Sequence, residues 1–202
     1  MLFRSSAVYE PGTYNLKWSD GRDEVVKGEK THIPTELSGK WDLHFDPKWG
    51  GPENMEINEL KSWIKFEEPG IKYYSGTARY DKSFSLSAED IKGNKLVLDL
   101  GNVLEMASVK INGQQMPVVW SAPFRFDITS YAKAGTNDLE VEVVNMWPNR
   151  LIGDGKLPAS KRLTKTNIIK FNGSDAEKYL RESGLLGPVT IKIINLLSLK
   201  GS

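Results

Sequence analysis

The stretch VNMWPNRLIGDG, Val144–Gly155, puts Trp147, Asn149, Arg150 and Asp154 within eight residues of one another, directly after the strand-like NDLEVEVV. An indole face suits the C–H face of a sugar ring. Arg offers a rigid fork of donors and Asp offers acceptors, the complement needed by vicinal hydroxyls. If the segment is a loop at a strand end, rigid strands would hold these groups out to a ligand. The same residues have a second reading, in which an Arg150–Asp154 pair pins a long loop and Trp147 plugs the core. Both readings stand at this point.

Two further segments carry weaker chemistry. HFDPKWGGPE, His44–Glu53, sets Trp49 on a tight loop, with Asp46 and Glu53 as possible oxygen ligands for a hard cation such as a structural Ca2+. Two carboxylates seven apart, without an Asp/Asn ladder between them, are a thin signal, and a plain structural loop is the alternative. VVWSAPFRFD sets Trp120 just before a strand whose polar face carries Arg125 and Asp127. The expectation there is an inter-strand ion pair with Trp120 packing a sheet edge; sugar stacking by Trp120 is the alternative. Trp18, Trp41 and Trp63 are assigned to packing or surface.

Catalysis by this chain alone has little support. Glycoside hydrolysis uses two carboxylates, about 5–5.5 Å apart for retention and about 6.5–9.5 Å for inversion. Among 26 acidic residues some pair will qualify by chance, so the count decides nothing. No acid lies in an apolar pocket motif, and a barrel that carries this chemistry needs about 250 residues, against 202 here. His32 and His44 lack metal-ligand spacing, and neither accompanies a G-x-S-x-G nucleophile. With no cysteine, thiolate chemistry, disulfides and Cys-ligated metals are excluded. The 27 Lys and Arg against 26 Asp and Glu remove the electrostatic footprint of a nucleic-acid binder. No apolar run approaches the ~20 residues of a membrane span, and no signal-peptide h-region is visible.

The elements that would position these residues are short strands. Trp41, Leu43 and Phe45 alternate with Asp42 and His44; so do Leu96, Leu98 and Leu100, then Ala107, Val109 and Ile111, then Phe124, Phe126 and Ile128. Leu139, Val141 and Val143 oppose Glu140 and Glu142, and Val189, Ile191 and Ile193 oppose Thr190 and Lys192. GTARYDKSFSL reads as one further strand, and Asn112-Gly113 is a strong hairpin signal. Helical pattern is confined to turns at SAEDIKG, TSYAKAG and SDAEKYLRESG, where Ser174 and Glu177 have capping-box spacing. Residues 1–38 read as an extension, with a hairpin around Ser19–Arg22, and MLFRSS as the end of a preceding domain. Seven or eight strands without intervening helices exclude βαβ architecture and predict an all-β antiparallel β-sandwich over 39–202, with a few short helical turns.

In this setting the run from GTARYDKSFSL through LVLDLGNVLEMASVKING to APFRFDITSYAKAGTNDLEVEVVN resembles the jelly-roll, galactose-binding-like sugar-binding domain of family 2 glycoside hydrolases. The strings FDPKWGGPE, GIKYYSGTA, WPNRLIGD and SGLLGPV are similar to the C-terminal module of bacterial α-L-rhamnosidase-like enzymes of family 106. The resemblance covers about Leu37 to Leu199. It implies a non-catalytic module that packs on a catalytic domain of the same polypeptide, shapes its cleft or holds a plant or pectic glycan. It further implies a secreted or periplasmic setting, and a structural calcium in some members. The competing readings are a purely structural interdomain module and, further off, a stand-alone β-sandwich hydrolase.

Overall fold

The computed structural model describes residues 6–7, 12–28, 33–168, 173 and 175–197. His32, Ser174 and residues 1–5 lie outside these, and with them the Ser174 cap and most of the MLFRSS strand. Among the described residues there are fifteen strands: β1 (Ser6–Ala7), β2 (Gly12–Lys17), β3 (Asp23–Gly28), β4 (Thr35–Glu36), β5 (Trp41–Phe45), β6 (Met55–Ile57), β7 (Thr77–Leu86), β8 (Asn94–Asp99), β9 (Asn102–Leu104), β10 (Met106–Ile111), β11 (Gln114–Gln115), β12 (Arg125–Asp127), β13 (Gly135–Val144), β14 (Gly184–Gly187) and β15 (Thr190–Leu197). Three short helices join them: α1 (Pro69–Lys72), α2 (Ala88–Ile91) and α3 (Pro148–Gly155).

Two antiparallel sheets make the sandwich. One has the order β11-β10-β13-β7-β5-β6; the other runs β1-β15-β8-β12, with β4 also pairing β15. The alternating side chains of each strand divide as their period requires. Leu43, Tyr80, Val109, Ile111, Leu139, Val141 and Val143 from the first sheet meet Leu96, Leu98, Phe126, Ile191 and Ile193 from the second in one apolar core. The all-β antiparallel sandwich expected from the sequence is the fold found. The hairpin at Asn112-Gly113 is also present: both residues have positive φ, 51° and 77°, as a tight primed turn demands.

A small ladder, β14 with β9, lies outside the two main sheets and was not anticipated. It closes over Trp63, which is fully buried and donates its indole N–H to the Tyr80 hydroxyl at 2.6 Å. A Cβ on Gly184 would fall 2.5 Å from Trp63 Nε1, so only glycine lets β14 lie against that ring. Burial pushes the Tyr80 hydroxyl up to about 12, keeping it neutral as a partner for Trp63 and for the Leu185 N–H.

The early segment is not all separate from the sandwich. β2 and β3 form their own hairpin through the turn at Ser19–Arg22, closed by Trp18 N–H to Arg22 O at 2.9 Å. β1 and β4, by contrast, each pair with β15.

The main departure is at WPNRLIGD, a helix rather than a loop. Pro148 opens α3 at a position where its missing N–H is harmless. Arg150 and Asp154 stand one turn apart on its inner face. The turn at SAEDIKG is α2, where Ser87 and Asp90 satisfy each other's backbone N–H groups in a capping box.

An aromatic corner at one end of the six-stranded sheet

The register sends the sequence's tryptophan candidates to one end of the larger sheet. Val144 pairs with Thr77 and with Met106, and Phe45 pairs with Ala78. The exits of β13 and β5 and the entries of β7 and β10 therefore meet. Trp147 follows β13 and Trp49 follows β5. Val119 bridges Ala107, the neighbour of Met106, so Trp120 comes to that end as well.

Trp49 is held by local backbone chemistry. Asp46 caps a 3-10 turn, Pro47–Trp49, by accepting the Lys48 N–H on Oδ1 at 2.9 Å, and Gly50 ends it at φ 84°. A Cβ on Gly70 would stand 2.2 Å from the Gly50 carbonyl, so α1 packs directly on this turn. Trp49 and Trp147 meet edge to face, 5.6 Å between ring centroids at 83°. Such a pair contributes about 0.5–1.5 kcal/mol beyond area burial. Trp147 nonetheless remains 57% exposed, so it is no core plug.

The two indoles form the walls of a cleft of about 260 Å³ whose floor includes Asp46, Tyr74, Thr77 and Asn145. The floor is rigid. The Tyr74 hydroxyl donates to Thr77 O at 2.8 Å and accepts the Asp46 N–H at 3.1 Å. Asn145 accepts from Gly76 N–H and donates to Tyr74 O, both at 2.9 Å. Sequence reasoning missed Asn145, Tyr74 and Ser75; a polar Asn at a strand exit was the one available signal.

The other candidates of the segment face inward. Asn149 donates to Arg181 O at 2.7 Å and accepts the Arg181 N–H at 2.8 Å. Arg150 and Asp154 have side chains only 5% and 4% exposed and approach to 3.0 Å. Arg150 Nε is not aligned for a hydrogen bond, so that contact is an ion pair rather than a donor–acceptor bond. Asp154 also accepts the Thr164 hydroxyl at 2.6 Å, the Thr164 N–H at 2.7 Å and the Leu163 N–H at 3.3 Å. Burial pushes the Asp154 carboxyl up, but the Thr164 and Leu163 donors and the Arg150 charge outweigh it and hold the carboxyl below its usual range. The three residues thus tie α3 to the segments at 162–164 and 181–183.

The remaining candidates lie apart from the cleft's polar floor. Trp120 is 79% exposed and does not pack a sheet edge as expected. Arg125 and Asp127 each make an inter-strand ion pair with β8, Arg125 to Asp99 at 2.8 Å and Asp127 to Lys95 at 3.2 Å. Glu53 is exposed, and Asp46 serves as the cap of the Pro47–Trp49 turn. Among the described residues no group of three or more His, Cys, Asp or Glu could hold a metal ion.

Residues 25–173 match the family described as glycosyl hydrolases family 2, sugar binding domain. The chain belongs to that family. It is 40% identical, over 91% of its length, to a Formosa agariphila protein provisionally named a beta-glucuronidase, and covers 18% of that protein. It superposes with a TM-score of 0.73 on a rhamnosidase from Novosphingobium sp. PP1Y, 36% identical, over 85% of this chain and 16% of that one. A Ruminococcus gnavus beta-glucuronidase, 22% identical with a TM-score of 0.57 over 83% of this chain and 29% of its own, shares the fold. The chain thus spans under a fifth of the first two relatives.

Proposed function

We propose that this chain is a non-catalytic accessory module of a bacterial glycoside hydrolase acting on rhamnose-containing or related plant glycans, in a secreted or periplasmic setting. Its partners in this reading are a glycan and the catalytic domain of the same polypeptide. The observation that carries the proposal is the Trp49–Trp147 corner at the rim, where Trp49 packs partly on the core and Trp147, against it, is mostly exposed. The rhamnosidase and beta-glucuronidase relatives support the choice of a glycoside hydrolase. Few contacts offset the loss of sugar freedom, so affinity in isolation is expected at about 0.1–10 mM. Titration with rhamnose, galactose and pectic oligosaccharides, followed by tryptophan fluorescence and NMR, tests it. Saturable quenching that disappears in Trp147→Ala supports it.

A second reading, a purely structural interdomain module, is favoured by one specific observation: Asn149, Arg150 and Asp154 direct their polar groups inward. Silence with every glycan tested would establish that reading in place of the first. Release of reducing sugar by the purified chain, abolished by one carboxylate substitution, would overturn both.

A further inference from the structure

We propose that the Trp49–Trp147 corner is a subsite for one neutral pyranose and that Asp46 excludes uronic acids from it. This rests on the carbohydrate reading above and adds the class of sugar. The cleft, at about 260 Å³, falls just below the range of about 300–1,000 Å³ that accommodates drug-sized ligands. It suits a single ring. The two indoles at 83° offer apolar faces to a pyranose from two directions.

Part of the polar capacity in the cleft is committed to the protein itself. Asn145 bonds Gly76 and Tyr74, and the Ser75 hydroxyl donates to Met146 O at 2.9 Å while accepting the Arg150 N–H at 3.1 Å. Asp46 is different. One of its oxygens caps the 3-10 turn, and the other has no hydrogen-bond partner among the described residues. It is also the one carboxylate among the residues lining the cleft, which include no Lys or Arg. Arg150, whose guanidinium passes beneath Gly50, is neutralised by Asp154. A hydroxyl can donate to the free Asp46 oxygen; a sugar carboxylate brings a like charge to an acceptor with no cation in the lining to compensate.

The test uses matched pairs differing only at C6: methyl β-D-glucoside against its glucuronide, and methyl α-D-galactoside against its galacturonide, with methyl α-L-rhamnoside as a third neutral probe. Binding is read at the indole N–H resonances of Trp49 and Trp147. Two like charges in a wet site repel by about 1 kcal/mol, which is about fivefold in Kd. The neutral member of a pair is therefore expected to bind at least about fivefold tighter. Asp46→Asn keeps an acceptor for the Lys48 N–H and should bring the ratio close to one. Added salt should tighten uronide binding to the natural chain and leave the neutral sugars unchanged. Uronides binding as well as neutral sugars at these indoles, or a ratio unmoved by both Asp46→Asn and salt, overturns the selectivity while leaving carbohydrate binding intact. No indole shift with any probe overturns both.

Discussion

The outer and inner halves of WPNRLIGD have opposite fates within eight residues. Trp147 stands half in solvent against Trp49, and nothing in the core depends on it. Asn149, Arg150 and Asp154, two to seven positions on, are buried and tied to backbone groups or to each other. A polar-rich segment near a strand end is thus two devices, a display and a brace. Trp147 is the N-cap residue, ahead of the first helical turn, whereas Asn149, Arg150 and Asp154 lie within α3 and are buried by the segments that pack around it. Arg and Asp, the types that read most readily as sugar ligands, are the ones that hold the helix. The aromatic, which reads as core, is the one left free.

Removing one partner of the brace should produce the largest effect. Asp154→Ala leaves Arg150 as an uncompensated buried cation and strips acceptors from Thr164 and Leu163. Breaking such a pair costs about 3–5 kcal/mol. In a chain of this size that lowers Tm by about 10 °C. Trp147→Ala should lower stability by about 1 kcal/mol or less, the edge-to-face contribution. Thermal unfolding of the two variants side by side checks the contrast. Equal losses would mean that display and brace are not separate.

A smaller effect is expected one step into the brace. Asn149→Ala leaves the N–H and C=O of Arg181 without their side-chain partner. Both bonds are only partly buried, so the cost lies at the low end of the range for unmatched groups, and an intermediate loss of about 1–2 kcal/mol is expected by urea titration. Asn149→Asp is the sharper variant. It keeps the acceptor for Arg181 N–H but turns the donor to Arg181 O into a repelling oxygen. It should therefore be no better than Ala. Recovery of stability by Asp would show that the N–H contact alone matters.

The sandwich could be read in advance because its signal is repeated. Each strand states the period of two independently, and Leu98, Ile111, Val141 and Ile191 reached one interior from four strands. α3 could not be read in that way. A Pro and two Gly in eight residues sit below what helix propensity supports, and a helix this short exists through tertiary contacts to Ser75, Arg181 and Thr164 that no local window contains. The exposure of Trp120 was equally invisible, because an aromatic beside a strand looks the same whether its neighbours cover it or not. Asn145 and Tyr74 went unnoticed because they act on backbone groups outside their local windows, Asn145 some seventy residues away and Tyr74 on Asp46, 28 residues away.

The brace also has an exposed counterpart, and it should give the smallest effect, present at neutral pH and lost in acid. Glu177 accepts the Tyr73 hydroxyl at 2.5 Å and pairs with Lys156, just past α3, at 2.6 Å and with Lys72 at 3.3 Å. The Lys156 ammonium first, then the Tyr73 hydroxyl and Lys72, hold its carboxyl down to about 2, against a usual value of 4.5. A depressed carboxylate contributes stability that is fully present above its unfolded value and is lost as pH falls through the folded one. Salt screens such a surface clasp, so its contribution is modest. Glu177→Gln should therefore be slightly less stable than the natural chain above about pH 5, and the two should converge as the pH approaches 2. Tm measured from pH 7 to pH 2 in low salt, and again at high salt, reads this directly. Curves that stay parallel down to pH 2 would show that the clasp adds nothing, leaving α3 to the buried Arg150–Asp154 pair and the bonds of Asn149 and Ser75.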